Sequence, residues 1–319
     1  MKPRIFTAFL MSMIFLSNGF SQSQKTLAER LGYPADARLL IIHADDMGLS
    51  HSTNMAVIKA FEAGGVTSGS IMVPCPWFPE IADYVKHHPG LDVGIHTTLT
   101  AEWKFYKWDG VLPSPQIPSL IDTNGYFYHE VAPFAQHARA DEVEKELRAQ
   151  IDRAIAFGID PTHIDNHMGT ILARPDLFET ALKLAMEYRL PILIPSQMIK
   201  MYAPQFLEKI PPYFTMVDNL QMLNAWPKDN NWTEAYRQMV QSMKPGLNEL
   251  IVHLSYDNEE MKAIAIDHPD FGSTWRQNDL NLVLSPEFQK ILKDNHITLV
   301  TWKQIRDLMR KEMDQQNNR

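Results

Sequence analysis

"RLLIIHADDMGLS", residues 38–50, decides how this chain is read. Leu39 to Ile42 place large aliphatic side chains at successive positions. That is the pattern of a parallel strand buried on both faces, not of a half-exposed strand that alternates. The run then delivers two adjacent carboxylates, Asp45 and Asp46, into a glycine turn. Neighbouring acids repel and lose solvation on burial, so something must neutralise one of them or use both.

Working outward, short apolar runs alternate with helical patterns through the rest of the chain. "GSIMVP" (69–74), "LDVGIHTTL" (91–99), "THIDNH" (162–167), "PILIP" (191–195), "NELIVHLSY" (248–256) and "ITLVTW" (297–302) read as strands. Helices are predicted over Thr53–Ala63, 79–88, 141–158, Pro175–Tyr188, Thr233–Met243 and 285–295, with a final one after 302. In the clearest of them Val143, Leu147, Ile151 and Ile155 form one i, i+4 row, and Gly158 stands where a C-terminal cap belongs. No Gly-x-Gly-x-x-Gly turn or Walker loop favours an open doubly wound sheet. The order predicts an α/β chain, a (β/α) barrel of about seven strand–helix units in a single domain, residues 22–319. Residues 102–135, rich in proline and aromatics, read as an excursion over one face that covers the cleft.

With 319 residues, 45% of them hydrophobic, the chain can bury a large core. A net charge of −8 speaks against nucleic acid and favours a neutral or weakly charged substrate. The start, "MKPRIFTAFLMSMIFLSNGFSQSQK", has a basic end, an apolar stretch and small residues at Gly19 and Ser21. It reads as a cleavable signal peptide, 1–21, which implies export to a periplasm or the exterior. The apolar stretch is short of the roughly 20 residues a membrane span needs, so no stable span is expected after cleavage. Cys75 is the only cysteine, so any metal must be held by His, Asp or Glu.

The polar residues that end these runs are Asp45 and Asp46, His96, the trio His163, Asp165 and His167, and His253. In a barrel the carboxyl ends of the strands meet on one face, where the chemistry sits. Imidazoles with one carboxylate make a nitrogen–oxygen site suited to zinc or another divalent ion. One aspartate on the ion and its neighbour beside the activated water would explain the Asp-Asp pair, since such an ion brings a water's pKa towards about 7. Each piece also has a plainer reading. Asp-Asp-x-Gly can be a turn, His96 a hydrogen-bonded interior histidine, and His43 either a support for Asp45 or a packed ring. Residues 163, 165 and 167 share a face in a strand. Trp77, Trp103, Tyr106, Trp108, Tyr126, Phe127 and Tyr128 are candidates for a sugar-stacking platform or for ordinary core, and Arg276 for orienting a site carboxylate.

At these residues the chain resembles the YdjC-like carbohydrate deacetylases, also called chitooligosaccharide deacetylases, relatives of the polysaccharide deacetylase superfamily. "ADDMGLSHSTNMAV", "GVTSGSIMV", "GIHTTLT", "PTHIDNH", "LNELIVHLSYD" and "WRQNDLNLVLSPEFQKIL" are similar to its successive motifs, spanning roughly 38–308. The resemblance implies a distorted (β/α) barrel that removes N-acetyl groups from amino-sugar oligosaccharides or glycoconjugates. It implies one divalent ion, zinc or magnesium, on Asp46, His96 and His167, with Asp45 as general base and His253 as general acid. His163 and Asp165 would line or support the site. Two departures stand out: Met168 and Gly169 follow His167 where many members have further histidines, and Leu254-Ser255 replaces Pro-Gly after His253. The competing readings are another metal-dependent amide or phosphoester hydrolase and a non-catalytic carbohydrate-binding barrel.

Overall fold

The computed structural model describes residues 25–317, so the expected signal peptide lies outside the described residues. Its strands are β1 (Arg38–Met47), β2 (Ser68–Ile71), β3 (Val93–Thr97), β4 (Ile164–Asn166), β5 (Asn219–Gln221), β6 (Gly246–His253) and β7 (Ile297–Leu299). All pairings are parallel, in the order β4-β3-β2-β1-β6-β5, with β7 also on β1. β6 runs beside β1 from Arg38 to Asp45. β1's other edge is shared: β7 takes Arg38–Leu40 and β2 joins from His43. The sheet curls into a distorted barrel. Ile192 bridges to Ile164 of β4, and Pro195 bridges to Val217, just before β5. "PILIP" therefore closes the ring by single bridges and is not a regular strand, because Pro191 and Pro195 have no N–H to give a ladder.

β1 shows how one apolar run serves two cores. Leu40, Ile42 and Ala44 join the large cluster beneath the surrounding helices. Leu39 and Ile41 join Leu193, Val217, Leu247, Val300 and Trp302 in a second cluster. Strand alternation puts this second set inside the barrel. Ala28, from the short helix Leu27–Arg30, packs against it. Above this apolar plug the interior turns polar: His43, Ser70, His163, Asp165 and Glu249 are all buried.

The helices fall close to their expected places, with the clearest one at Ala140–Ala156. Its Val143, Leu147 and Ile151 are buried, while Ile155 is 46% exposed. Steps of four residues overshoot one turn by about 40° each, so the fourth member of such a row leaves the buried face. The same helix fastens the excursion. Glu146 accepts the backbone N–H groups of Val111 (2.9 Å) and Leu112 (3.0 Å), and Glu142 accepts that of Ser119 (2.7 Å). The elements not foreseen include β5, three partly exposed residues without an apolar run, and the helices Val131–His137, Ser196–Tyr202, Glu259–Ile264 and Ser273–Val283.

Gly94 of β3 lies against the buried ring of His163, whose atoms stand 2.4–2.6 Å from where a Cβ would be. Gly94→Ala should overpack the polar layer and cost about 1–3 kcal/mol. A lowered thermal midpoint would register it.

Candidate metal and catalytic site

Side chains 45 and 46 would point to opposite faces of a regular strand. Here β1 carries an extra residue against β2: Ala44 pairs with Gly69 and Met47 with Ile71, a bulge across the Asp-Asp pair. Asp46 adopts φ 66°, a left-handed conformation costly for a residue with a Cβ. Broken alternation turns both carboxylates into the barrel mouth. Gly48, φ 91°, completes the turn where a Cβ would sit 3.2 Å from the Met72 carbonyl oxygen. Asn54 pins it, accepting the Gly48 N–H at 2.7 Å and donating to the Trp77 carbonyl at 3.1 Å.

Three atoms then converge. Asp46 Oδ1 is 3.3 Å from His96 Nε2 and 3.4 Å from His167 Nδ1, and those two nitrogens are 3.3 Å apart. The outer nitrogen of each ring is engaged elsewhere. His96 Nδ1 donates to Asp165 Oδ2 at 2.9 Å, and His167 Nε2 donates to Glu102 Oε2 at 2.9 Å. With those protons committed, the inner nitrogens present lone pairs to a carboxylate oxygen that is buried and lacks a hydrogen bond. Three lone pairs facing one another demand a cation. Donors set tetrahedrally about 2.0–2.1 Å from one ion stand about 3.3–3.4 Å apart, so the triangle has the dimensions of a zinc-type site with one position open. The groups respond electrically as a cation hole should. Burial opposes the charge on Asp46, yet the Arg276 guanidinium and both imidazoles hold its carboxyl well below the usual range. Burial likewise opposes protonation of His167, but Glu102 and Asp46 hold it up to about 9. His96 is raised as well, by Asp45, Asp165 and Asp46 against the cost of burial.

The other oxygen of Asp46 accepts Arg276 Nη2 at 2.7 Å. The expected orienting role of Arg276 therefore falls on Asp46. Asp165 holds His96 from behind, as expected of a support. His163 does not reach the cluster. Its Nδ1 meets the Thr162 hydroxyl at 2.9 Å and its ring stacks on Trp302. Residues 163, 165 and 167 do lie in sequence along one face, but a strand rises about 6.6 Å per two residues, so His163 sits two layers too deep to ligate. After His167, Met168 (φ 53°) and Gly169 (φ 71°) are both left-handed, turning the chain away from the cluster. Glu102 escaped the sequence reading, because it lies in the aperiodic excursion with no run to flag it.

Asp45 and His253 face the same space from paired positions of β1 and β6. Asp45 Oδ2 is 3.8 Å from His253 Nε2 and 4.0 Å from His96 Nε2. The His253 ring packs edge-on against Phe271, and burial pushes its pKa down despite Asp46 and Asp45 nearby. Asp279, also unforeseen, accepts the backbone N–H of His253 at 3.1 Å and hydrogen bonds from Trp232 Nε1–H and Tyr236 Oη–H. It fixes the end of β6 rather than the imidazole.

A cavity of about 470 Å³ opens over these groups. Its remaining lining is largely apolar, including Met168, Leu172, Leu193, Met198, Leu220 and Met222. Of the proposed aromatic platform only Trp103 lines it. Trp108 and Phe127 are core, Tyr106 donates its hydroxyl to the Leu49 carbonyl, and Trp77, Tyr126 and Tyr128 lie outside the lining.

A parallel α/β barrel with a carboxylate–imidazole cluster at the carboxyl ends of its strands is thus the class that fold and site define. The model of the family described as YdjC-like protein matches residues 39–294, and the chain belongs to that family. A carbohydrate deacetylase of Thermus thermophilus is 34% identical over 286 residues, covering 89% of this chain and 99% of its own. A chitooligosaccharide deacetylase of Yersinia enterocolitica is 32% identical over 160 residues, 49% of this chain and 59% of its own. Among solved structures, an Enterococcus faecalis V583 protein proposed for cellobiose-phosphate cleavage superposes with a TM-score of 0.70 at 26% identity, covering 84% of this chain and 98% of its own.

Arg276→Met should leave the Asp46 carboxylate buried without its guanidinium. In chelator-treated protein the expected loss of unfolding free energy, read from denaturant melts, is about 3–5 kcal/mol.

Proposed function

We propose that this protein is a metal-dependent hydrolase that removes the N-acetyl group from an amino sugar in an oligosaccharide or glycoconjugate, releasing acetate and a free amine. The observation that carries the reading is the convergence of Asp46, His96 and His167 on one point, with Asp45 and His253 beside it. The two deacetylase relatives support the choice of an acetylated sugar.

Asp46, His96 and His167 would hold one divalent ion, zinc or magnesium. When bound, such an ion supplies Lewis acidity, easing deprotonation of water and stabilising negative charge on the amide oxygen. Asp45 takes the proton from the attacking water. His253, in its protonated form, passes a proton to the nitrogen as the carbon–nitrogen bond breaks, so the amine leaves neutral. Glu102 and Asp165 keep the two ligand rings in the tautomers that leave lone pairs inward. Residues 1–21 are read as a signal, which would have the protein act outside the cytoplasm; the mass of the mature chain recovered from an exporting host tests this.

Each proton-transfer role contributes roughly 10²–10⁴ in rate. Asp45→Asn and His253→Ala should lower kcat by that order with the fold intact. The assay is mass spectrometry of a panel of N-acetylated oligosaccharides, with and without chelator, watching for loss of one acetyl. Chelator should abolish turnover and added zinc, magnesium or manganese restore it. Phosphate release from sugar phosphates, or tight oligosaccharide binding without product, would replace this reading with the phosphoester or binding alternative. Ion binding should also follow pH. An ion must displace the protons that His96 and His167 otherwise keep, so zinc affinity measured by calorimetry should weaken from about pH 8 to about pH 6.

A further inference from the structure

Beneath the reacting groups stands a histidine that the proposed chemistry leaves unused. His43, fully buried on β1, stands among three carboxyl groups from three strands. Its Nε2 is 3.2 Å from Asp45 Oδ1 and 3.5 Å from Asp165 Oδ2, with the Ser70 hydroxyl at 3.1 Å. Its Nδ1 is 3.5 Å from Glu249 Oε1 on β6. Glu249 Oε1 in turn accepts Trp302 Nε1–H at 3.2 Å. The remaining neighbour is the ring of His163, packed edge-on at 4.9 Å. Among the described residues, no lysine or arginine comes within 4.0 Å of Asp45, Asp165 or Glu249. His43 is thus the one group in contact with all three that can bring a positive charge.

We propose that His43 is a positioning residue for the base: an imidazolium that pairs through Nε2 with Asp45 Oδ1 and faces Glu249 through Nδ1, holding one carboxylate oxygen of Asp45 and leaving the other for the proton of water. This inference rests on Asp45 acting as the base. Three observations converge on it. Asp45 Oδ1 is completely buried, whereas Oδ2 is the oxygen near His253 and His96 at the cavity. A carboxylate with one oxygen tied has a single direction in which to accept a proton, the same economy by which a buried acid orients the histidine of a serine hydrolase. The second observation is the chain behind His43: Glu249, held by Trp302, stands 3.5 Å from the ring's far nitrogen, which has no other partner, so a proton there would face a carboxyl oxygen. The third is electrical. Burial opposes charge on His43, but Asp165, Asp45 and Glu249 overcome it and hold the ring up to about 10. Burial pushes Glu249 up to about 8, with His43 pulling the other way. A neutral Glu249 still accepts from Trp302, and it tolerates the burial of its unpartnered Oε2 far better than a carboxylate would.

The same atoms also have the spacing of an ion site formed by His43, Asp45 and Asp165. The difference from the upper cluster lies in the protons. Both outer nitrogens there are spent on carboxylates, whereas Nε2 of His43 is shared between the Ser70 hydroxyl, its hydrogen-bond partner at 3.1 Å, and Asp45 Oδ1 at 3.2 Å.

The direct test is nitrogen NMR of protein labelled in its histidines, with His43 assigned through His43→Asn. The expected spectrum shows both ring nitrogens of His43 protonated from about pH 6 to about pH 8; a neutral ring at pH 7 overturns the inference, whether or not the protein deacetylates anything. Metal analysis should give one ion per chain, and two ions with loss of the imidazolium signature would overturn it as well. On the kinetic side, His43→Asn should lower kcat about 10–100-fold with KM unchanged. A histidine that merely fills space would leave kcat in place, and this outcome too counts against the proposal. Should His43→Asn fold poorly, Glu249→Gln changes the group behind the ring and is expected to lower kcat with KM unchanged and to shift the His43 Nδ1 signal. If Asp45→Asn keeps its rate while the imidazolium signature is present, the base assignment fails, and the catalytic half of this inference with it.

Discussion

The site depends on one local distortion: the left-handed turn at Asp46 within a bulge of the central strand. A regular β1 would send one of its paired acids outward, among Leu40, Ile42 and Ala44, where no charge belongs. Strain of order 1–3 kcal/mol is the usual cost of such a conformation, and it persists only where the surroundings over-determine it. Here they do so from several sides. Arg276 grips Asp46, Asn54 pins the following turn, and β6 holds β1 in register up to Asp45.

From that distortion the barrel can be read in layers. An apolar plug around Leu39, Ile41, Leu247 and Trp302 fills the bottom. A buried polar layer lies above it, and the open cluster above that. Each inward strand position belongs to one layer: Ile41, His43 and Asp45 on β1; Glu249, Ile251 and His253 on β6; His163, Asp165 and His167 on and around β4. Burial strengthens every polar contact in such a stack, because screening by water is weak there, and makes any unpaired member expensive. The support behind the reacting residues runs through buried polar groups from Ser70 to Trp302, among which His43 Nδ1, His163 Nε2 and Glu249 Oε2 are left without a hydrogen bond.

Much of this was legible in the sequence. The strands that carry the site announce themselves as apolar runs ending in acid or histidine, and Asp46, His96 and His167 meet as those endings suggested. What could not be read has identifiable causes. Glu102 sits in a stretch with no period, so nothing marked its carboxylate as directed inward. Glu249 is a single acid within "NELIV", where one charge in a short strand looks like an exposed position. The helix Ser273–Val283 was hidden because its inner face carries Arg276 and Asp279, side chains that blur an apolar stripe. The aromatics settled on the plainer of their two readings. Their clustering reflects the core of the excursion, where Trp103, Trp108 and Phe127 are buried, and of these only Trp103 borders the cavity.

The methionines at the cavity have their own consequence. Met168, Met198 and Met222 each remain more than 40% exposed beside the rigid cluster. Thioether side chains are unbranched and polarizable, and they reshape themselves around different outlines at little energetic loss. One flank of the mouth is therefore held by ion pairs and hydrogen bonds, and the other is lined by side chains that adjust easily. A molecule entering it would meet the fixed flank with the atoms presented to the histidines and the adaptable one with its distal parts.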